Sequence, residues 1–384
     1  MPPELSAVTA MSLIVARAVA LRHDLHRHPE LMHAVHRTAG VVRGELDRLG
    51  IPWRACANTG TLGFLAADKP GRRIAFRADL DALPLEELTG LAYASTVPGK
   101  MHACGHDGHT ASLLAAAAWL KAHESRLPQP VVLVFQPAEE GGHGAAAMGA
   151  DGALDAFDVI FGFHNWPPLL AGTAACPAGP VMAANGEWTA RIQGRGGHAS
   201  MPHLCADPIY AGSQFVSAVQ QVVARQVAPQ EAAVVTVTCF HAGTADNIIP
   251  DAAELVGTCR AATTTRRDDL ARRTEAVLHA SCAPTGCTAT FAVHPCYEAT
   301  VNDPAAAAEA QTALAAEGIT LIREQLPIMA AEDFGWFLAR KPGAFLLLGS
   351  GSGPDTPGCH SARFDFDDTL IPLVVRLWAR LAGL

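Results

Sequence analysis

The residues best suited to chemistry stand where apolar runs end. After Arg73-Ile74-Ala75-Phe76-Arg77 comes Ala78-Asp79-Leu80-Asp81, and after Val131-Val132-Leu133-Val134-Phe135 comes Gln136-Pro137-Ala138-Glu139-Glu140. The run 158–163 is followed by His164, and 344–348 leads through a Gly/Ser loop to Cys359-His360. Between the first two lies His102-Ala103-Cys104-Gly105-His106-Asp107-Gly108-His109. Thiolate sulfur, imidazole nitrogen and carboxylate oxygen are zinc ligands, at about 2.0–2.3 Å. Two such ions about 3.5–4 Å apart can hold a shared water and both oxygens of a tetrahedral intermediate. In the tandem pair Glu139-Glu140, one carboxylate can bind metal while the other takes a proton from water. The sequence leaves open which does which.

The elements that must position these groups read as an α/β domain. Residues 12–49 read as a helix or helix pair stopped by Gly50-Ile51-Pro52, and 108–123 as an Ala-rich helix. Residues 61–66 and 73–77 read as strands. The continuous apolar runs 131–135, 158–163 and 344–348 suit strands covered on both faces of a mostly parallel sheet flanked by helices. Open sheets of that kind bind ligands outside the carboxyl ends of their strands. Five separate loops place acids, imidazoles and a thiol on that edge. The middle differs: strand (187–193), helix (about 207–227), strands (233–240, 254–261), helix (about 266–282) and strand (288–294) follow the ferredoxin-like β-α-β-β-α-β order. Two domains are therefore expected, an α/β domain of 1–184 and 297–384 and an inserted α+β domain of 185–296.

Composition narrows the function. With 49% hydrophobic and 17% charged residues, the 384-residue chain can build a sizeable core. Its 28 Lys and Arg against 37 Asp and Glu give a net charge of −9, a poor match for a nucleic-acid partner. The longest apolar run, Ala111–Leu120, is short of the roughly 20 residues that span a bilayer, so no membrane partner is expected. No signal peptide is read, and a cytoplasmic location is expected. The ten cysteines include no CxxC pair, and most read as small buried hydrophobes. Gly194, Gly196 and Gly197 form no nucleotide-binding GxGxxG.

The segment 102–109 resembles the signature of the peptidase M20 amidohydrolases, in the branch of the hippurate and auxin-conjugate hydrolases. Leu25–Leu31, Arg77–Pro84, Gln136–Glu140, Gly196–Ser200, Asn247–Pro250, Gly257–Arg260, Ala331–Phe334 and His360–Asp365 resemble its other motifs, in the same order. The resemblance implies two divalent metal ions per chain (Zn, Mn, Co or Ni) held by Cys104, His106, Glu140, His164 and His360, with Cys104 bridging. It implies Glu139 as general base and acid, and Asp79 as an orienting carboxylate behind the ligands. It implies that His198 reaches the oxyanion of a partner subunit's substrate, so that the enzyme is a homodimer or higher oligomer. It implies that Asn247 and Arg260 hold the substrate carboxylate, and that the inserted domain is a lid and dimerisation module. The substrate implied is an N-acyl amino acid, hippurate-like or N-acetylated. A dipeptidase or carboxypeptidase uses the same site, and a metal-binding protein without catalysis is a further alternative. Arg77 stands where many relatives begin His-x-Asp, and Cys104 where many have aspartate; the thiolate softens the site.

Other candidates have plainer readings. His102 and His109 either support the site or bond locally. His143, among glycines, reads as a loop residue. His23, His26, His28, His33 and His36 read as a solvated helix face.

Overall fold

The run Val131-Val132-Leu133-Val134-Phe135 has no polar face to show to water, and it forms a strand, Val131–Gln136, buried at every residue. The computed structural model describes residues 7–294, 296–323 and 326–384. In it this strand lies inside an eight-stranded sheet in the order Trp53–Cys56, Gly60–Leu65, Val131–Gln136, Ile74–Asp79, Val159–Leu170, Gly343–Gly351, Thr173–Ala175, Thr320–Leu321. The four central strands, Val131–Gln136 through Gly343–Gly351, run parallel. Flanking strands pair antiparallel at Gly60–Leu65 and at Thr173–Ala175.

Helices cover the sheet. Ala7–Arg27 (α1), His36–Leu49 (α2) and His106–Ala122 (α3) share a core with Leu370–Leu381, whose Trp378 stacks on Phe76 at 4.8 Å between ring centroids. α2 starts where Glu30 accepts the Arg37 and Thr38 amides at 3.0 and 2.8 Å, and ends at Gly50 in the left-handed region. The α1 face that packs inward carries Arg22 and His26, one turn apart and both wholly buried. The expectation of a solvated histidine face therefore fails for His26. Its Nδ1 pairs with Asp107 at 2.9 Å and its Nε2 faces Glu87 at 3.3 Å. A buried imidazole needs such partners, and they come from positions 61 and 81 residues away that no local pattern in α1 announces. His33 and His36 are exposed as expected.

The described residues fall into two compact units, one within Met1–Gly179, Val301–Glu324 and Asp333–Leu384, the other within Pro180–Thr300 and Gln325–Glu332. The second unit has its own antiparallel sheet, ordered Ala233–Ala242, Ala252–Ala261, Ala184–Gln193, Thr288–His294. With helices Pro208–Ala218 and Thr264–Cys282 between the strands in sequence, this is the ferredoxin-like order. Ala184–Gln193 alternates buried and more exposed residues, and its inward Trp188 packs on Phe215 and Phe291. No helix among the described residues is long and apolar enough to cross a membrane.

Candidate metal centre and active site

In the parallel sheet Asp79 pairs with Gln136 and Arg77 with Gly162, so two residues further on His164 stands level with Asp79 and Gln136 at one edge. At that edge α3 begins with Gly105-His106. Gly105 has φ 97°, and a Cβ there would lie 2.2 Å from Asn165 Oδ1; a Cβ on Gly108 would lie 2.3 Å from the Phe366 ring. These two glycines let the 102–109 segment lie tight against its neighbours.

Among the sets of possible metal donors in the described residues, two are Cys104 with His106 and His164, and Cys104 with Glu140 and His360; within each set all donor atoms lie within 4.8 Å of one another. These two sets share the Cys104 sulfur. Cys104 Sγ is 3.3 Å from His164 Nε2, and Glu140 Oε1 is 3.2 Å from His360 Nε2. Glu139 falls in a third set with His106 and Glu140. The five residues expected as ligands and the expected base are thus brought together in one unit of the fold.

Their chemistry suits a cation. Both His106 nitrogens are buried without a hydrogen-bond partner, an arrangement that a bound ion would satisfy. The hydrogen bond with Cys359, then burial, push the Cys104 thiol well above its usual range, so a thiolate there calls for positive charge. Burial would lower the His106 pKa, but Asp79 and then Asp81 outweigh it and raise it to about 10, so this spot favours positive charge. His164 Nδ1 donates to the Asn165 carbonyl at 2.6 Å, which leaves Nε2 unprotonated and facing Cys104. Burial, then His109, hold His164 well below its usual range, so it is a neutral donor.

Carboxylates support these groups from behind. Asp79 binds His109 Nδ1 at 2.6 Å and Arg77 Nη1 at 2.7 Å. His109 Nε2 reaches Asn165 Oδ1 at 2.7 Å, so both His109 nitrogens are engaged. His102 bonds to nothing; burial drives its pKa down to about 3, and it sits neutral beneath the loop. Asp81 takes a role that its place in the sequence does not show. Its two oxygens accept the backbone amides of Glu139 and Glu140 at 2.9 and 3.1 Å. The Asp333 amide donates to Glu139 Oε1 at 3.4 Å. Backbone partners of this kind leave no mark in a sequence.

Three expected substrate residues lie in the other unit. His198 sits on a two-stranded ribbon with Ile248 as its cross-strand partner, and the Asn247 carbonyl accepts the Ala199 amide at 3.0 Å. The Ser200 amide donates to His198 Nδ1 at 3.1 Å, so the neutral ring carries its proton on Nε2 and offers it outward. Arg260 lies apart on the four-stranded sheet, opposite Asn185, with Nη1 on Thr258 Oγ1 at 3.1 Å. The structure thus brings His198 and Asn247 together and places Arg260 on a separate sheet.

Fold and donor set define an α/β metallohydrolase. The model of peptidase family M20/M25/M40 matches residues 75–383, and the chain belongs to that family. It is 38% identical over 372 residues to IAA-amino acid hydrolase ILR1-like 4 of Arabidopsis thaliana, covering 95% of this chain and 84% of that one. It is 37% identical over 362 residues to an N-acetyl-L-cysteine deacetylase of Bacillus subtilis (94% and 86% covered), and 35% identical over 373 residues to thermostable carboxypeptidase 1 of Saccharolobus solfataricus (95% and 94%). Among solved structures, the Bacillus subtilis YXEP protein, described as a dinuclear metal binding peptidase from the M20 family, superposes with a TM-score of 0.85 at 32% identity, covering 97% of this chain and 98% of that one.

Proposed function

We propose that this protein hydrolyses the amide bond of N-acyl amino acids, releasing a carboxylic acid and a free amino acid. Two divalent ions would be held by Cys104, His106, Glu140, His164 and His360. The observation that carries this reading is the pair of donor sets sharing the Cys104 sulfur, with Glu139 beside them. Bound there, such ions supply Lewis acidity at the amide carbonyl and make water easier to deprotonate. Glu139, with Oε1 near the Asp333 amide, takes the proton from water and passes it to the leaving nitrogen. Asp79, held by Arg77 and His109, fixes the ground behind His106. His198, as an Nε2–H donor, suits an oxyanion; by the family resemblance it serves a second copy in a homodimer. Asn247 and Arg260 hold the substrate carboxylate, for which a guanidinium is well shaped. The inserted unit serves as lid and dimerisation module, and the location is cytoplasmic.

The N-acyl reading draws support from relatives named IAA-amino acid hydrolase and N-acetyl-L-cysteine deacetylase. The Saccharolobus relative, named a carboxypeptidase, favours free peptides as a second reading. Metal analysis of the purified chain, followed by side-by-side assay of hippurate, N-acetyl amino acids and dipeptides, separates the two. Glu139→Gln is expected to keep both metals and lose about 100- to 10,000-fold in kcat. A metal-loaded chain inactive on the whole panel, or a Glu139→Gln variant at the wild-type rate, overturns the proposal.

A further inference from the structure

The tandem carboxylates Glu139 and Glu140 lie on a loop whose own backbone bonds, Gly141 N to Glu139 O at 2.8 Å and Gly144 N to Ala138 O at 3.0 Å, leave the Glu139 and Glu140 amides to an acceptor from elsewhere. Residues 137–140 belong to no helix or strand. Ala138 and His143 have φ of 57° and 55°, in the left-handed region that side chains other than glycine avoid, and Gly141 has φ 85°. Such a segment keeps its shape only if tertiary contacts over-determine it. The amides of its two working residues both donate to the carboxylate of Asp81. Asp81 is wholly buried, and its Oδ1 also stands 3.7 Å from His106 Nδ1.

One carboxylate spanning two consecutive amides fixes the peptide plane between them. With that plane fixed, the two side chains diverge. Glu139 turns its Oε1 to the Asp333 amide, and Glu140 turns its Oε1 to His360. We propose that Asp81 is the positioning residue of this site: through the Glu139 and Glu140 amides and beside His106 it sets the spacing between the base and the two donor sets at once. This rests on the metal-dependent reading above, and it assigns Asp81 no contact with substrate.

The test is Asp81→Asn, which keeps the shape but has a single accepting oxygen for two amides and turns an NH2 against one of them. Three readouts are taken beside wild type: hydrogen exchange of peptides covering 136–144 in the metal-free chain, zinc affinity by chelator competition, and kcat against KM on the best substrate. Expected is a folded variant whose 136–144 amides exchange about tenfold faster or more. Its zinc affinity falls about 10- to 100-fold, and kcat falls with KM nearly unchanged. Wild-type exchange, or faster exchange with unchanged zinc affinity and kcat, overturns the proposal. So does a variant without a cooperative melt, because Asp81 would then serve the fold and not the site. A wild-type chain that binds no zinc would instead sink the metal reading itself, and that failure shows without any substitution.

Discussion

Replacing Arg77 by methionine tests whether the buried charge network beneath the site is held by its one guanidinium. Arg77 Nε donates to Gln136 Oε1 at 2.9 Å, Nη1 to Asp79 at 2.7 Å and Nη2 to Asp333 at 3.2 Å. The Arg77 and Asp79 side chains are fully buried, and Asp333 is 2% exposed. Methionine fills similar space without charge and leaves two buried carboxylates without the guanidinium they share. Removing one member of a buried pair costs about 3–5 kcal/mol. Asp79 keeps His109 and the His106 ring at 3.6 Å, and Asp333 keeps Gln136 and the Ala145 amide, so the neighbours soften the loss. At about 2–4 °C per kcal/mol, the expected fall in melting temperature is roughly 6–20 °C. Lysine should not rescue it, because its point charge cannot reach three divergent acceptors. The assay is thermal and urea denaturation of metal-free Arg77→Met and wild type at pH 5 and pH 8. Without Arg77 the two carboxylates are easier to protonate, so the deficit should be larger at pH 8 than at pH 5. A variant within about 0.5 kcal/mol of wild type at both pH values refutes the reasoning, since that is the range of an ordinary surface change.

Three further outcomes follow from the same structure. His198→Ala should lower kcat by about 100- to 1,000-fold, the usual loss of one oxyanion donor. If His198 serves a second copy, co-expressing it with Glu139→Gln should recover activity, and no recovery refutes the cross-subunit role. Burial would lower the His26 pKa, but Asp107 and then Glu87 outweigh it and hold it above 6.5. The stability from this pair is therefore complete below pH 6.5 and fades as pH rises through the raised value; His26→Gln should flatten that part of the melting-temperature profile, and an unchanged profile refutes the pairing. Stripping metal with dipicolinate should lower the melting temperature and zinc should restore it, because a ligand at 100 times its Kd adds about 2.7 kcal/mol. An unchanged melting temperature tells against the metal fit.

How much of this was legible depended on where each residue's partner lies. The central strands Val131–Gln136 and Gly343–Gly351 could be read because both faces are covered, which forces continuous apolar runs. Ala184–Gln193 could be read because one covered face forces alternation. The antiparallel edge at Trp53–Cys56 could not, since its neighbour is chosen by chain path and not by its own four residues. The candidate donors could be grouped because Glu140 and His164 come after apolar runs and Cys104 and His106 stand at the start of a helix. Asp81 escaped because it bonds to backbone, which every residue offers, and His26 because its partners are 61 and 81 residues away.

Gly105 and Gly108 have a consequence for anyone selecting variants of this chain. A Cβ at either position would meet a neighbour at 2.2–2.3 Å, closer than any real contact, and Gly105 also sits at φ 97°. In a saturation library scored by turnover, both should look as intolerant as Cys104 or His106, although neither carries a functional group. A fitness map read alone would therefore draw the active site too large. Scoring the same library for yield of folded protein would separate them, because the glycines would drop out there while conservative changes at donor residues would survive.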